Sequence, residues 1–356
     1  MMSTAWRVRF VRRLWRRRSW KARAARLALL PFSGLYAGAV AARSAWYRMG
    51  LARPRPLPLP AIAVGNLSVG GTGKTPLVAW IAAYCADAGR RPGIVLRGYG
   101  RDEVLVHRRL VPDAIVVANP DRVAGAYAAK AQGATVIVLD DAFQRLDTDR
   151  DLNIVVLAAE QARLPRWTLP AGPWREGQGA LSRADLIVVT RKRAEAEVAN
   201  ALADQLATRW PGTPGAIARL TLTGLSGMRS GTAIPLAALR GQRIIAAAGI
   251  ADPESFAVQL RASGATVQLA AYQDHHEYGA EDVARLVQAA AGAGYLVVTE
   301  KDAVKLRSVW PADAPEPLVA VMAWTWERNG EAVVHALQRV LAIPTNPVTD
   351  HTSHHS

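Results

Sequence analysis

The sequence predicts an α/β protein: a mostly parallel sheet domain built around a phosphate-binding loop, plus a second, smaller α/β domain, with an N-terminal membrane-associated helix. Three observations predict this architecture. Short apolar runs alternate with alanine-rich segments of helical length after residue 60. The runs are apolar at successive positions, which is typical of strands buried on both faces of a parallel sheet. A glycine-rich segment follows the first of these runs.

The N-terminal segment is strongly basic. Residues 1–55 hold fourteen Lys and Arg residues and no Asp or Glu, and so account for nearly all of the net charge of +15. Aromatic residues such as Trp15 and Trp20 are interleaved with this charge, and an apolar run covers Leu27 to Ala42. As a helix this run would reach about 24 Å, short of the ~30 Å hydrocarbon core of a bilayer. We therefore expect an element lying in the headgroup region; the alternative is a buried helix preceded by a solvated or RNA-binding tail.

The globular part begins after the proline-rich connector at residues 53–60 and contains a first series of strands and helices. The sole cysteine, Cys85, and the lack of a signal-like cleavage site favour a reducing, cytoplasmic setting. The predicted strands are Ala61 to Val64, Ile94 to Leu96, Ala114 to Val117, Thr135 to Leu139, Asn153 to Leu157 and Leu186 to Thr190, and the helices are Thr75 to Ala88, Arg122 to Gln132 and Ala194 to Arg209.

A second series follows a turn-rich region at residues 210–235. Its predicted strands are Arg243 to Ala248, Thr266 to Ala271, Tyr295 to Thr299 and Leu318 to Ala323, and its helices are Pro253 to Ser263, Ala280 to Ala291 and Gly330 to Leu341.

The segment Ser68-Val-Gly-Gly-Thr-Gly-Lys-Thr75 nearly matches the phosphate-loop pattern G-x-x-x-x-G-K-[ST], with Ser68 in place of the first glycine. Such a loop turns backbone N–H groups towards phosphate oxygens at a helix N-terminus. The side chains then have separate tasks: Lys74 would neutralise phosphate charge and Thr75 would offer a hydroxyl to Mg²⁺. The alternative is a glycine-rich connector without a ligand. The predicted nucleotide-binding residues are Ser68, Val69, Gly70, Gly71, Thr72, Gly73, Lys74 and Thr75.

Two acidic residues end a strand further along the chain. Asp140 and Asp141 close the apolar run of "TVIVLDDAFQRL", where a carboxylate would meet Mg²⁺ bound by Thr75 and a nucleotide. Strand-end acidic pairs also serve as turn formers or helix caps. The predicted metal ligands are Thr75, Asp140 and Asp141.

Seven motifs together resemble the tetraacyldisaccharide 4′-kinases of lipid A synthesis, in that family's order. The resemblance also covers Ser68, because the family has serine there. The motifs are "GNLSVGGTGKTP", "LRGYGR", "DDAFQR", "LPAGPWRE", "AAGIADPESF", "DHHEY" and "TEKDAVKL".

The resemblance implies a P-loop kinase-like fold and a kinase that uses ATP and Mg²⁺. Its acceptor would be the 4′-hydroxyl of a tetraacylated glucosamine disaccharide 1-phosphate. Its partners would be this acylated lipid and an anionic membrane surface, at the cytoplasmic face of the inner membrane, in a peripheral or monotopic form. We expect no nucleic-acid partner, and we expect a monomer.

The resemblance also implies catalytic residues. The base would be Asp102, oriented by His275 of the D-H-x-x-[YF] pattern, while Lys74 offsets phosphate charge. Asp102 is selected by an alignment in which "RDEV", at Arg101 to Val104, corresponds to the family's GDEP segment. This alignment requires a deletion between "GYGR" and that segment. The same register aligns Arg122 with the last arginine of a GRDR-like motif. The predicted substrate residues are Arg122, Gln144, Arg175 and Glu176.

The sequence departs from the family in its acidic motif. Ala142 and Arg145 stand where the family reads glycine and histidine in DDGFQH, so the role of that histidine is not carried over. A nucleotide-dependent switch is a competing hypothesis, but "DLIVVTRKR" lacks the N-K-x-D element of a guanine-specific one. A scaffold that binds ATP without turnover is a second. The predicted units are the basic leader and membrane-surface helix at 1–55, the nucleotide-binding domain at 56–225, the smaller α/β domain closing the cleft at 226–343 and a disordered tail at 344–356.

Overall fold

The computed structural model describes residue 15 and residues 19–98, 101–162 and 164–344. Nearly all of the basic leader before residue 19, the predicted tail after residue 344 and the Tyr99-Gly100 pair of "LRGYGR" lie outside the described residues. The structure contains one twelve-stranded sheet. Its strands are β1 Ala61–Asn66, β2 Pro92–Leu96, β3 Ile115–Ala118, β4 Val136–Asp140, β5 Leu152–Ala158, β6 Leu186–Arg191, β7 Gly215–Gly227, β8 Ala233–Ile234, β9 Arg243–Ala248, β10 Thr266–Ala271, β11 Tyr295–Val298 and β12 Leu318–Arg328.

The described part of the chain contains ten α-helices. Short 3₁₀ turns at residues 159–161, 178–183 and 236–239 supplement them. The α-helices are α1 Trp20–Ala28, α2 Leu30–Arg48, α3 Lys74–Asp87, α4 Arg101–Leu110, α5 Arg122–Ala131, α6 Ala196–Arg209, α7 Pro253–Ala262, α8 Ala280–Ala291, α9 Glu300–Leu306 and α10 Gly330–Leu341.

Apart from the two-residue strand β8, which pairs antiparallel with β7, the sheet consists of two parallel halves joined by one antiparallel pair. Strands β3, β2, β4, β1, β5, β6 and β7 run parallel in that spatial order, and so do β12, β11, β9 and β10. Strands β7 and β12 pair antiparallel and connect the halves. We refer to these as the first and second half-sheets. The predicted mostly parallel α/β architecture is confirmed.

The first half-sheet is buried because its strands have apolar side chains on both faces. Every residue of β1, β2 and β4 is buried. Along β1, Ile62 and Val64 face α3 and α10, whereas Ala61 and Ala63 face α5. The alternation follows from the two-residue period of a strand, and helices on both faces are needed to cover it.

The pairing of β7 with its two neighbouring strands determines where the two half-sheets end relative to each other. Strand β6 pairs with Gly215–Arg219 of β7 and ends there, whereas β11 ends where Val319 of β12 pairs with Ser226. Because β7 and β12 are antiparallel, the carboxyl ends of the two half-sheets point towards each other. The stretch of β7 between them, Leu220 to Leu225, spans roughly 20 Å at ~3.3 Å per residue. The loops that follow strands in the two halves therefore border a common cleft.

Most predicted elements of the sheet and its helices lie close to their expected bounds, and the largest differences are at β7, β12, α4 and α9. Strand β7 occupies a region predicted to be rich in turns, β12 extends beyond its predicted end at Ala323, and α4 and α9 lie where no helix was predicted. The predicted domain boundary between residues 225 and 226 falls inside β7. The division into separate domains therefore stays a prediction, since one sheet runs through both.

The predicted N-terminal helix consists of two helices. Pro31 lies in the first turn of α2, where its missing N–H breaks no helical bond. Of the described helices, none alone is long and apolar enough to cross a membrane, whereas α1 and α2 together, bent by 47°, pass that test on length and composition only.

Candidate active site

The phosphate loop has the expected context of strand, loop and helix. It connects β1 to α3. Gly70 and Gly73 have φ values of +130° and +90°, which residues with a Cβ seldom adopt. Gly73 directly precedes α3, so the loop ends at a helix N-terminus, where partial positive charge accumulates.

Ser68 is part of the loop's support. It lacks the positive φ of Gly70, so its backbone needs no glycine. Its side chain is buried and its hydroxyl bonds Gln161, while the N–H of Val69 donates to the carbonyl of Pro173 at 2.8 Å. The serine therefore fixes the start of the loop.

Other side chains hold the remainder of the loop from outside. The Asn66 amide donates to the Thr72 hydroxyl at 3.0 Å, and the Thr190 hydroxyl donates to the Thr72 carbonyl at 2.7 Å. The Lys192 ammonium donates to the Gly71 carbonyl at 2.9 Å. Such support pre-organises the loop, which lowers the cost of ordering it around an anion.

Three charged side chains form ion pairs beside the phosphate loop. Lys74 Nζ lies 3.3 Å from Asp141 Oδ1, and Arg175 Nη1 lies 2.8 and 2.9 Å from the two carboxylate oxygens of Asp141. Burial alone would raise the pKa of Asp141, but Lys74 and Arg175 lower it to about 2. Asp141 is therefore an anion that holds the two cations expected to receive phosphate.

Asp140 is a buried anion at the end of β4. It pairs in register with Val64, just before the loop. Its Oδ2 lies 3.0 Å from Nε2 of the fully buried His107, and its Oδ1 is buried without a protein partner. Burial would raise the pKa of Asp140, but the bond to His107 lowers it. An ionised carboxylate with an unpaired oxygen can bind a cation.

The predicted Mg²⁺ ligands are consistent with these positions. Within the described residues, no group of three or more His, Cys, Asp and Glu side chains is arranged to hold a metal ion by itself. Magnesium sites in phosphoryl-transfer enzymes commonly use one or two carboxylates and leave other positions to water and substrate phosphate. The free oxygen of Asp140, together with Asp141 and the Thr75 hydroxyl, suits that kind of site.

The predicted Asp–His pair joins the two half-sheets. Asp102 lies in the first turn of α4 and is 3% exposed. Its Oδ2 lies 2.9 Å from Nδ1 of His275, which follows β10. The bond to Asp102 raises the pKa of His275 against the opposing effect of burial. Burial would raise the pKa of Asp102, but His275 and Lys305 hold it well below its ordinary value.

Contacts within the second half-sheet determine which of His275 and His276 faces Asp102. His275 has a φ of +60°, and its N–H donates to the Gly249 carbonyl at 3.1 Å. His276 instead bonds Asp282 at 2.8 Å and stacks on Tyr272. His275, and not His276, is therefore the histidine that contacts Asp102; the catalytic role of the pair stays a prediction.

The four predicted substrate residues have different surroundings. Arg175 pairs with Asp141 near the loop, and the Gln144 amide donates to the Asn66 carbonyl at 2.8 Å. Arg122 is 2% exposed and donates to the carbonyls of Asn119 and Asp140. Glu176 is buried in an ion pair with Arg183. The structure gives Arg122 and Glu176 framework contacts; their part in substrate binding stays a prediction.

Three residues of the site were missed by the sequence analysis. No role was predicted for His107, Lys192 or Lys305. Lys305 lies in the motif "TEKDAVKL", one helical turn after Lys301, so the motif itself was the available signal. Nothing in the local sequence distinguishes His107 from an ordinary core histidine.

Comparison with known proteins identifies the family. The family model described as Tetraacyldisaccharide-1-P 4′-kinase matches residues 25–108 and 102–342. The chain belongs to this family. The two matched segments overlap in α4, close to the predicted deletion relative to the family.

Named relatives and a solved structure agree. Tetraacyldisaccharide 4′-kinase of Pelobacter propionicus is 37% identical over 82% of this chain and 86% of its own length. That of Aromatoleum aromaticum is 37% identical over 89% and 96%, respectively. The crystal structure of LpxK from Aquifex aeolicus in complex with ATP superimposes with a TM-score of 0.70 at 27% identity, covering 89% of this chain and 99% of that one.

Proposed function

We propose that this protein transfers the γ-phosphate of ATP to the 4′-hydroxyl of a tetraacylated glucosamine disaccharide 1-phosphate. The observation that carries the proposal is the position of the Asp102–His275 pair. It lies in the cleft that the phosphate loop also borders, and it joins residues of the two half-sheets at 2.9 Å. Family membership and the ATP complex of the Aquifex aeolicus protein support the same reaction.

ATP would bind with its phosphates in the loop between Val69 and Lys74. The backbone N–H groups and the α3 N-terminus favour negative charge there. On binding, Lys74 and Arg175 would exchange part of their contact with Asp141 for phosphate oxygens. Both cations would then face the charge that spreads over the γ-phosphoryl group in a loose transition state.

Mg²⁺ would be held by Asp140, Asp141 and the Thr75 hydroxyl. When bound it would neutralise phosphate charge. His107 would keep Asp140 ionised and oriented from behind, because its Nε2 occupies the other carboxylate oxygen.

Asp102 would accept the proton of the acceptor hydroxyl. A bond forms between that oxygen and the γ-phosphorus, the bond from phosphorus to the bridging oxygen breaks, and ADP leaves. In a loose transition state the hydroxyl proton leaves late, so a carboxylate of low pKa is a sufficient base. His275 would orient Asp102 through Oδ2.

The N-terminal helices support a lipid acceptor at a membrane surface. Ser33 of α2 exchanges hydrogen bonds with Thr168 and accepts one from the Ala171 N–H. The same loop continues to Arg175, which holds Asp141. One loop thus fastens α2 beside the phosphate site. Large apolar side chains on α1, α2 and the following turn are exposed at Trp20, Leu27, Phe32, Leu35, Trp46, Met49 and Leu51.

The proposal is tested by incubating the protein with γ-labelled ATP, Mg²⁺ and the tetraacyl disaccharide 1-phosphate in detergent micelles. We expect label on the lipid with the native protein, almost none with Lys74→Ala, and normal transfer with Lys130→Ala, which changes a lysine at the end of α5. Unlabelled lipid with the native protein would reject the function. ATP hydrolysis without transfer would favour a nucleotide switch, and ATP binding without turnover would favour a scaffold.

A further inference from the structure

Lys305 is a buried cation in contact with the Asp–His pair. It lies on α9, its side chain is 5% exposed, and its Nζ lies 3.2 Å from Asp102 Oδ2. The same ammonium donates to the carbonyl of His276 at 3.0 Å. The side chain therefore connects Asp102 to the segment that presents the neighbouring His275.

His275 and Lys305 bond the same oxygen of Asp102. Nδ1 of His275 lies 2.9 Å from Oδ2, so Oδ1 takes part in neither contact. We propose that Lys305 is a positioning residue for the phosphoryl transfer, holding Asp102 as an ionised carboxylate whose Oδ1 faces the acceptor hydroxyl. This inference rests on the proposed kinase function.

Burial explains why a lysine is needed there. Asp102 is 3% exposed, and an unpaired carboxylate in such a place would take up a proton rather than stay charged. His275 alone can offset the charge only while it donates through Nδ1. The Lys305 ammonium, 3.2 Å from Oδ2, offsets the carboxylate charge in either protonation state of His275.

Lys305 also links the acid to the opposite half-sheet. Asp102 belongs to α4 on the first half-sheet, whereas His275 and Lys305 follow strands of the second. A further ion pair between the same two helices, Arg109 Nε to Glu300 Oε2 at 2.7 Å, runs beside it. The contact between Lys305 and Asp102 therefore forms only when α4 and α9 pack together.

Other charged groups also act on the Asp102–His275 pair. Asp274 lies 3.8 Å from Nε2 of His275 and favours its cation, whereas Lys301 disfavours it. Glu103, on the same helix as Asp102, interacts with both members of the pair. Since Asp102 and His275 share one hydrogen bond, their titration belongs to the pair. The charged groups around the pair are Glu103, Asp274, Lys301 and Lys305.

The test compares pH profiles of lipid phosphorylation for Lys305→Met, Lys305→Gln and Lys305→Arg. Without the ammonium the pair binds its proton more tightly, wherever that proton resides. A cation at this distance shifts a carboxylate pKa by about one unit or more. We therefore expect the acid limb of kcat to move to higher pH by about one unit in the Met and Gln variants. At pH values below the shifted limb, kcat of the Met and Gln variants should be about tenfold lower than that of the native protein, and the difference should disappear as the pH rises. Lys305→Arg should keep the native limb.

Two controls make the outcome decisive. Arg307→Met removes an exposed cation one helical position beyond the end of α9 and should leave the profile unchanged. The Gln variant retains a donor for the His276 carbonyl, so it decides the matter if the Met variant does not fold. An unmoved acid limb in a folded Lys305→Gln protein would overturn the inference, whatever its rate, because a purely structural loss lowers the whole profile. Absence of transfer by the native protein would instead reject the kinase function.

Discussion

Asp102 and His275 lie 173 positions apart in the chain, and their side chains meet at 2.9 Å across the cleft. The contact exists because β7 and β12 reverse the direction of the second half-sheet, so that loops at the carboxyl ends of both halves converge. The site therefore combines a phosphate loop from one half with an acid–histidine pair completed by the other.

Removing either member of the pair should slow transfer more than binding. A general base contributes roughly 10²–10⁴-fold to rate, so we expect Asp102→Asn to lower kcat by about that factor. His275→Gln should have a smaller effect, because it leaves the carboxylate in place. The KM for ATP should change little, since neither residue contacts the phosphate loop. Steady-state kinetics in detergent micelles measure both constants, and a normal kcat for Asp102→Asn would reject its role as base.

The stability that His275 contributes should depend on pH. Its pKa in the folded protein is raised above the ordinary 6.5, first of all by the bond to Asp102. The stabilisation is therefore complete below that value and is lost as the pH rises through the raised pKa. Thermal unfolding should show a larger deficit for His275→Gln at pH 6 than at pH 9. The exposed His335 provides the control, since His335→Gln should show no such trend; equal deficits at both pH values would contradict the pairing.

Gly65 of β1 should not tolerate a side chain. A Cβ there would lie 2.5 Å from Cβ and 2.7 Å from the backbone nitrogen of Phe143. Overpacking of this kind costs roughly 1–3 kcal/mol or more, and it would displace the segment after Asp141. Urea unfolding should show this loss for Gly65→Ala but not for Gly212→Ala, where the added carbon meets nothing within 4 Å. Equal stabilities of the two variants would contradict the packing described.

The exposed apolar side chains of α2 should contribute to membrane binding. Phe32 and Leu35 are 60% and 74% exposed, and inserting such groups into the headgroup region is favourable. Phe32→Glu and Leu35→Glu should each weaken co-sedimentation with anionic vesicles, whereas Val309→Glu, a change at an exposed site after α9, should not. Unchanged binding of both α2 variants would reject this surface as the contact. Loss of binding to RNA instead would favour the alternative of a nucleic-acid tail.

Much of the fold could be predicted because the strands of the first half-sheet are apolar on both faces. Strand β7 could not, because it lies among turn residues and its partner β12 begins about a hundred residues later in the chain. Helices α4 and α9 were missed because they are short or strongly charged. The result is one continuous sheet where the local patterns indicate two separate units.

The site, too, could be predicted only in part. The phosphate loop and the acidic strand end are local patterns, so their residues could be predicted from spacing. The Asp102–His275 pair depends on distant contacts, and only the family resemblance pointed to it. For Arg122, the alignment with the family motif predicted a substrate residue. It could not indicate that the guanidinium is buried against the Asp140 carbonyl. Lys305 lies in a motif of the family, but its contact with Asp102 depends on how α9 packs against α4 and could not be predicted from the motif.

The central claim is that the cleft delivers the γ-phosphate of ATP to one hydroxyl of an acylated disaccharide. The most direct measurement is phosphorus–proton correlation NMR of the purified lipid product formed by the native protein and by Asp102→Asn. We expect the native protein to yield a single new phosphomonoester at the 4′ position, and the variant to yield almost none in the same time. A phosphate on another hydroxyl, or equal product from both proteins, would contradict the account.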